Sequence, residues 1–187
     1  GITNQHNILF FDPDKVRQRI EAIPYVRRCE IRRAYPDMVI IRIEERMAVA
    51  ALQVHTRTFE VDEEGVVLRE LAVHESPEGP LITNVPDLGV VEVGSRLSQP
   101  ALTKALALWI AFSSVPLGQE LTVSEIAAPS PDDLSMICEE LGYELRWGRS
   151  DFLQQALLLD ILWREKSGRL PCAEYLDLRF DYDLVCK

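Results

Sequence analysis

The net charge of this chain changes sign part-way along it, and that discontinuity limits the folds open to it. Residues 1–50 carry nine Lys or Arg against seven Asp or Glu, a surplus of +2, while residues 51–187 carry eleven against twenty-three, a deficit of −12. So sharp a shift marks two modules rather than one uniformly charged domain. The joint falls near Ala50–Gln53, giving modules 1–52 and 53–187. No Gly-, Ser- or Pro-rich linker stands there, so the modules pack directly or share a strand; one domain with a patchy surface is the alternative. The total of −10 excludes the basic footprint a nucleic-acid partner needs. A hydrophobic content of 47% suffices for a core. The longest apolar run, Ala105 to Phe112, is eight residues, far short of the roughly 20 that span a bilayer. The chain opens on Gly1 rather than methionine and shows no signal peptide, so it reads as a piece of a longer protein or a processed product.

The first module has a short pattern of elements. Asp12-Pro13 starts a helix, Val16, Ile20 and Ile23 form its apolar stripe, and Pro24 stops it. Val26 to Arg33 reads as a strand, Ala34-Tyr35-Pro36-Asp37 as a turn. Val39, Ile41 and Ile43 then alternate with Ile40, Arg42 and Glu44, a strand with one core face. Helix, strand, turn and strand make a small α+β layer. The second module reads as mostly antiparallel β. Phe59–Asp62 and Val66–Leu68 flank a turn at Glu63-Glu64-Gly65, and Met136–Cys138 pairs with Tyr143–Trp147 across Gly142, with Trp147 in the core. Two helices interrupt these strands. Ser98 with Pro100 opens one whose stripe is Leu102, Leu106, Trp109 and Ile110. Asp151 with Gln154 opens the other, with Leu153, Leu157, Ile161 and Leu162 as its buried face and Gly168 at its end. Tyr175–Phe180 and Asp183–Val185 form a final pair of strands.

Chemistry is nearly absent from the pattern. His6, His55 and His74 stand at no metal-ligand spacing from another His or Cys, and there is neither a G-x-S-x-G elbow nor a Gly-rich phosphate loop. The paired carboxylates Glu44-Glu45, Glu63-Glu64, Asp132-Asp133 and Glu139-Glu140 sit at strand ends and turns, where a charge run is ordinarily a solvated rim. No catalytic residue, metal or cofactor is expected. Cys29, Cys138, Cys172 and Cys186 contain no C-x-x-C. If the last two strands turn at Asp181-Tyr182, position 180 faces 183 and Cys186 faces Asp177, leaving Cys172 far down the ladder. Four free thiols are therefore expected, although an even count permits disulfides in an oxidising compartment.

Several stretches resemble the bacterial FtsQ/DivIB cell-division proteins. Pro24-Tyr25-Val26, Arg33, Pro36, Ile41-Arg42-Ile43-Glu44-Glu45-Arg46 and Val49-Ala50 are similar to the closing half of that family's POTRA domain, and Gly1 through Asn7–Asp12 to the segment before its second helix. Val61-Asp62-Glu63-Glu64-Gly65-Val66 resembles the hairpin opening the family's β domain, Pro80-Leu81-Ile82 its L-P-x-L-x-G segment, and Leu176-Asp177-Leu178-Arg179-Phe180 its late D-L-R-F/Y strand. Ala48 and Asn84 depart from the family's usual Pro and Gly. The resemblance implies α+β architecture, with a partial POTRA domain at 1–52 and an FtsQ-type β domain at 53–187. The first POTRA strand and helix, a membrane span and a cytoplasmic tail would then precede Gly1. It further implies a non-enzymatic divisome scaffold outside the cytoplasmic membrane. Such a scaffold binds FtsB/FtsL-like partners, which extend the sheet at its C-terminal edge. The matching positions here are Arg179, Phe180, Tyr182, Asp183, Leu184 and Val185. Phe180 and Tyr182 are the best anchors, since aromatics dominate interface hot spots; a core place for Phe180 and an exposed turn for Tyr182 are the competing structural roles. A peptide-binding chaperone of secretion or outer-membrane assembly is the second reading and would call for tandem POTRA copies or a following barrel. A cell-envelope hydrolase, the third, would need a cleft with a perturbed carboxylate or histidine.

Overall fold

A computed structural model describes residues 12–148, 151–179 and 185–187. The chain forms two compact units, Gly1–Met47 and Ala48–Lys187.

In the smaller unit, Asp12 and Pro13 start the helix as expected. Asp12 Oδ1 accepts from the N–H groups of Asp14 (3.1 Å) and Lys15 (3.4 Å), capping helix α1, Pro13–Glu21. Strands β1 (Val26–Ala34) and β2 (Met38–Glu45) follow as an antiparallel hairpin in which Cys29 faces Ile43 and Ile31 faces Ile41. α1 packs on β1, and the Cys29 N–H donates to Glu21 Oε1 at 3.0 Å. The expected core face of β2 is only half covered. Cys29 is 2% exposed, whereas Ile41 and Ile43 across the hairpin are 41% and 50% exposed. A nine-residue helix lying over one strand leaves the other open, and Ile23, read as part of the stripe, lies beyond the helix end and is exposed.

The larger unit is built on one sheet. Its strands are β3 (Ala50–Val54), β4 (Arg57–Val61), β5 (Val67–Leu71), β6 (Leu81–Thr83), β7 (Val123–Ser130), β8 (Asp133–Cys138), β9 (Glu144–Trp147), β10 (Tyr175–Asp177) and β11 (Val185–Cys186). They lie in the order β11-β10-β9-β8-β7-β6-β3-β4-β5. Helices α2 (Pro100–Ser113) and the single turn α3 (Pro116–Glu120) connect β6 to β7, and α4 (Phe152–Glu165) connects β9 to β10. Each helical connection returns the chain parallel to the strand it left, as a crossover must. The fold is α+β as the sequence suggests, but the sheet is mixed: five neighbouring pairs of described strands are antiparallel, and β3–β6, β6–β7 and β9–β10 are parallel.

The helices seal one sheet face. Leu52, Phe59, Ile82, Ile126, Leu134, Met136, Leu145 and Leu176 form a continuous core with Leu102, Leu106, Leu108 and Phe112 of α2. At its centre the rings of Phe112 and Trp147 meet edge to face, centroids 5.9 Å apart. On α2, Leu102 and Leu106 are buried as expected, but Ile110 is 40% exposed and Ala101, Ala105 and Leu108 take the inward places. α4 departs further. Of its expected buried face, Leu153, Leu157 and Ile161 are 45%, 45% and 53% exposed and Leu162 is half-buried, while Phe152, Gln155, Ala156, Leu159 and Asp160 turn inward. Two polar residues set that rotation: Gln155 Nε2 donates to the Leu178 carbonyl at 2.6 Å, and Asp160 Oδ1 accepts the Leu117 N–H at 2.9 Å while its Oδ2 pairs with Arg164. These partners lie 23 and 43 residues away, so hydrophobic spacing alone selects the wrong stripe.

The cysteines also depart from expectation. Cys172 and Cys186 are joined in a disulfide, their Cα atoms 5.1 Å apart; Cys29 and Cys138 are buried free thiols. The final ladder pairs Leu176 with Cys186 and Asp177 with Val185, one position away from the expected register. The chain before β10 also bends out of the ladder, the Ala173 and Glu174 N–H groups both donating to the Lys187 carbonyl (2.8 and 2.7 Å). That bend brings Cys172 level with Cys186.

The β4–β5 turn is fixed twice. Asp62 Oδ1 accepts from the N–H groups of Glu64 (3.0 Å) and Val66 (2.8 Å), and Gly65 sits at φ +76°, where a Cβ would stand 2.6 Å from the Leu97 carbonyl oxygen. Gly65→Ala should therefore lower stability by about 2 kcal/mol, read as a fall in denaturant midpoint with unchanged slope. An unaltered midpoint would show that the turn and the Leu97 segment relax freely.

Candidate partner-binding edge

The two sheet edges differ in how they are closed. At β5, segment 94–97 lies alongside the strand: the Val67 N–H donates to the Ser95 carbonyl at 2.9 Å and the Gly94 N–H to the Val67 carbonyl at 2.7 Å. Arg69 reaches from the same edge to Glu60 (2.8 Å) and Glu75 (2.7 Å), and Arg57 pairs with Glu70. Charge and backbone thus guard that side, as natural sheets guard exposed edges. β11 is the outermost described strand at the other side. The Lys187 N–H donates to the Tyr175 carbonyl at 3.1 Å, so residues 187 and 185 direct their backbone polar groups inward to β10. By the alternation of an antiparallel ladder, the N–H and C=O of Cys186 point outward.

Beside this edge, the sheet face opposite the helices carries a polar relay. In the parallel register of β9 and β10, Tyr175 lies beside Glu144 and Asp177 beside Arg146. The Arg146 guanidinium stacks 3.9 Å above the Tyr175 ring and hydrogen-bonds Glu144. Two residues on, and so on the same face, Arg179 clamps Asp177 through Nε (2.9 and 3.1 Å) and Nη2 (2.6 Å), with its N–H on Oδ1 at 3.0 Å. Arg179 Nη1 also approaches Asp133 at 3.5 Å. The guanidinium holds the buried Asp177 carboxyl below the ordinary carboxylate range despite burial, and the same hydrogen bonds raise Arg179. Gly148 leaves room for this side chain, since a Cβ there would stand 3.1 Å from Arg179 Cγ. Asn84, Asp133, Ser135, Glu144, Arg146 and Arg179 border a shallow recess of about 350 Å³.

Of the residues expected at the partner site, Arg179 and Val185 are described. Val185 is in the edge strand and 41% exposed, and Arg179 is held on the sheet face rather than at the edge. Phe180, Tyr182, Asp183 and Leu184 lie outside the described residues. Sequence reasoning missed Asp177 as the anchor of Arg179, although Asp-x-Arg spacing on a strand places both side chains on one face. It also missed the Arg146–Tyr175 stack, which depends on a parallel pairing that no local pattern announces. Among the described residues no group of His, Cys, Asp or Glu could hold a metal ion, and no helix is long and apolar enough to cross a membrane. His55 and His74 are exposed; His6 lies outside the described residues.

Because Asp177 is buried and its folded pKa is depressed, the pair's contribution is complete above the unfolded carboxylate pKa, about 3.9, and is lost as pH falls through the lower folded value. Arg179→Ala should therefore cost about 2 kcal/mol at pH 7 by stranding a buried carboxylate, the half-exposed Arg179 discounting the full penalty of a buried pair. The deficit should shrink as pH is lowered and Asp177 protonates, measured as the Tm difference between variant and parent. A deficit independent of pH would show that Arg179 acts through packing alone.

Residues 1–46 match the POTRA domain, FtsQ-type. The chain is 24% identical to the cell division protein FtsQ of Syntrophotalea carbinolica over 97% of its own length and 64% of that relative's. It is 36% identical to FtsQ of Caulobacter vibrioides over 44% of the chain and 27% of the relative, and 29% identical to the cell division protein DivIB of Clostridium tetani over 37% and 26%. The chain thus spans a little under two thirds of the length of the first of these relatives.

Proposed function

The chain belongs to the FtsQ/DivIB family of cell-division proteins, and from that premise we propose that it is a non-enzymatic divisome scaffold. It captures an FtsB/FtsL-like partner by strand addition at the C-terminal edge of its sheet. The observation that carries this reading is the contrast between the edges. β5 is flanked by segment 94–97 and by ion pairs, while β11 ends the described sheet with the Cys186 backbone directed outward. An extended segment docking there gains main-chain hydrogen bonds, with specificity supplied by alternate side chains. Arg179, Phe180, Tyr182, Asp183, Leu184 and Val185 form the contact region, Phe180 and Tyr182 as anchors. The unit Gly1–Met47 acts as the POTRA domain and Ala48–Lys187 as the β domain, so the joint lies before β3 rather than at 52/53 within it. A segment upstream anchors the protein in the cytoplasmic membrane with both domains on its outer side, a placement supported by the Cys172–Cys186 disulfide, since such bonds persist in oxidising compartments.

Phe180→Ala combined with Tyr182→Ala should reduce capture of a purified FtsB/FtsL-like complex at least tenfold while leaving the circular dichroism spectrum unchanged. Full capture by this variant would contradict the assignment of the edge.

A further inference from the structure

The four cysteines are sorted by exposure. Cys29 and Cys138 are 2% and 1% exposed, and burial raises both thiols, Cys138 to about 12, so neither is an accessible thiolate. Cys186 is exposed and Cys172 half-buried, and these two are bonded. Their bond is the one covalent cross-link between two segments that, among the described residues, are otherwise joined by a few backbone hydrogen bonds and one exposed ion pair. The described part of β11 is two residues long. Beyond its two ladder positions it is fixed by the Lys187 N–H on the Tyr175 carbonyl and by the Ala173 and Glu174 N–H groups on the Lys187 carbonyl. The Lys187–Glu174 ion pair adds to these at 2.8 Å, but both side chains are more than half exposed. Among the described residues, so short a stretch of edge strand has few hydrogen bonds of its own to define its register. The covalent link at Cys186 supplies the missing constraint, and it does so at the residue whose backbone faces outward.

We propose that the Cys172–Cys186 pair is a redox latch: oxidised, it seats β11 as the acceptor edge of the sheet, and reduced, it releases that edge. The consequence for partner capture rests on the strand-addition reading above; the latch itself does not. On closure the two thiols surrender two protons and two electrons as the S–S bond forms. The disulfide of a protein thiol oxidant accepts them and becomes a dithiol. A protein dithiol reverses the step: its thiolate attacks the exposed Cys186 sulfur and releases the Cys172 thiolate, and the second reductant thiol then resolves the mixed disulfide. Most of the core between sheet and helices is assembled from residues of β3 to β10 and α2 to α4, with Cys172 packed only at its margin, so reduction is expected to leave β7, β8 and β9 in place.

The test uses the chain with Cys29→Ser and Cys138→Ser, so that reductant acts on this pair alone, together with the further variant Cys172→Ser. Amide hydrogen exchange is followed with and without dithiothreitol. Reduction should raise exchange of Ala173, Glu174 and Lys187 at least tenfold while β7, β8 and β9 stay protected, and Cys172→Ser should reproduce this without reductant. Unchanged exchange at those three amides would overturn the latch. Capture of the FtsB/FtsL-like complex by the oxidised form should exceed capture by the reduced form at least tenfold. Equal capture with a loosened edge would overturn the coupling. If neither form captures the complex, the strand-addition reading fails, and the exchange measurement still decides the latch.

Discussion

Sealing one face of a nine-stranded sheet is the constraint on which the larger unit depends. The described strands form an open sheet, so its apolar face is covered by helices, and α2 and α4 cover it in the crossovers that join the parallel pairs β6–β7 and β9–β10. α2 contributes Leu102, Leu106, Leu108 and Phe112 to that cover, and Phe112 meets Trp147 of β9 at its centre. α4 is held in rotation by two buried polar anchors, Gln155 on the Leu178 carbonyl and Asp160 on the Leu117 N–H. Buried polar groups must be satisfied or they cost stability, so these bonds fix which side of α4 turns inward even though several leucines are left outside.

The crossover of α4 also creates the edge. It returns the chain parallel to β9 as β10, and a short antiparallel strand, β11, is all that follows in the described sheet. The last strands are therefore the least supported by packing: Leu176 and Leu178 reach the core, but Val185, Cys186 and Lys187 are exposed. Their order comes from backbone hydrogen bonds, the Asp177–Arg179 clamp on the polar face, and the disulfide on the other side. An edge of this kind can accept a strand without disturbing the core behind it.

Much of this was legible in the residues. Asp12-Pro13 located α1, the Val61–Val66 run located the β4–β5 turn, and alternation in Tyr143–Trp147 placed Trp147 inside, because each signal acts over a few neighbouring residues. Signals that depend on distant partners were not legible. The parallel pairs, the rotation of α4 about Gln155 and Asp160, and the Cys172–Cys186 bond all join residues well separated in sequence. The expectation of four free thiols failed through a one-position register error and a bend at Ala173–Glu174, neither of which leaves a hydrophobic pattern. The core face expected for β2 was half open because period-2 alternation reports which side is apolar and not whether anything covers it.

The central claim, that the β11 edge receives a partner strand, is tested most directly at the Cys186 amide, which points away from β10. Its hydrogen exchange should slow at least tenfold when a saturating FtsB/FtsL-like complex is added, while amides of β5 at the opposite edge keep their free rates. A stably bound complex that leaves Cys186 exchanging at its free rate would contradict the account.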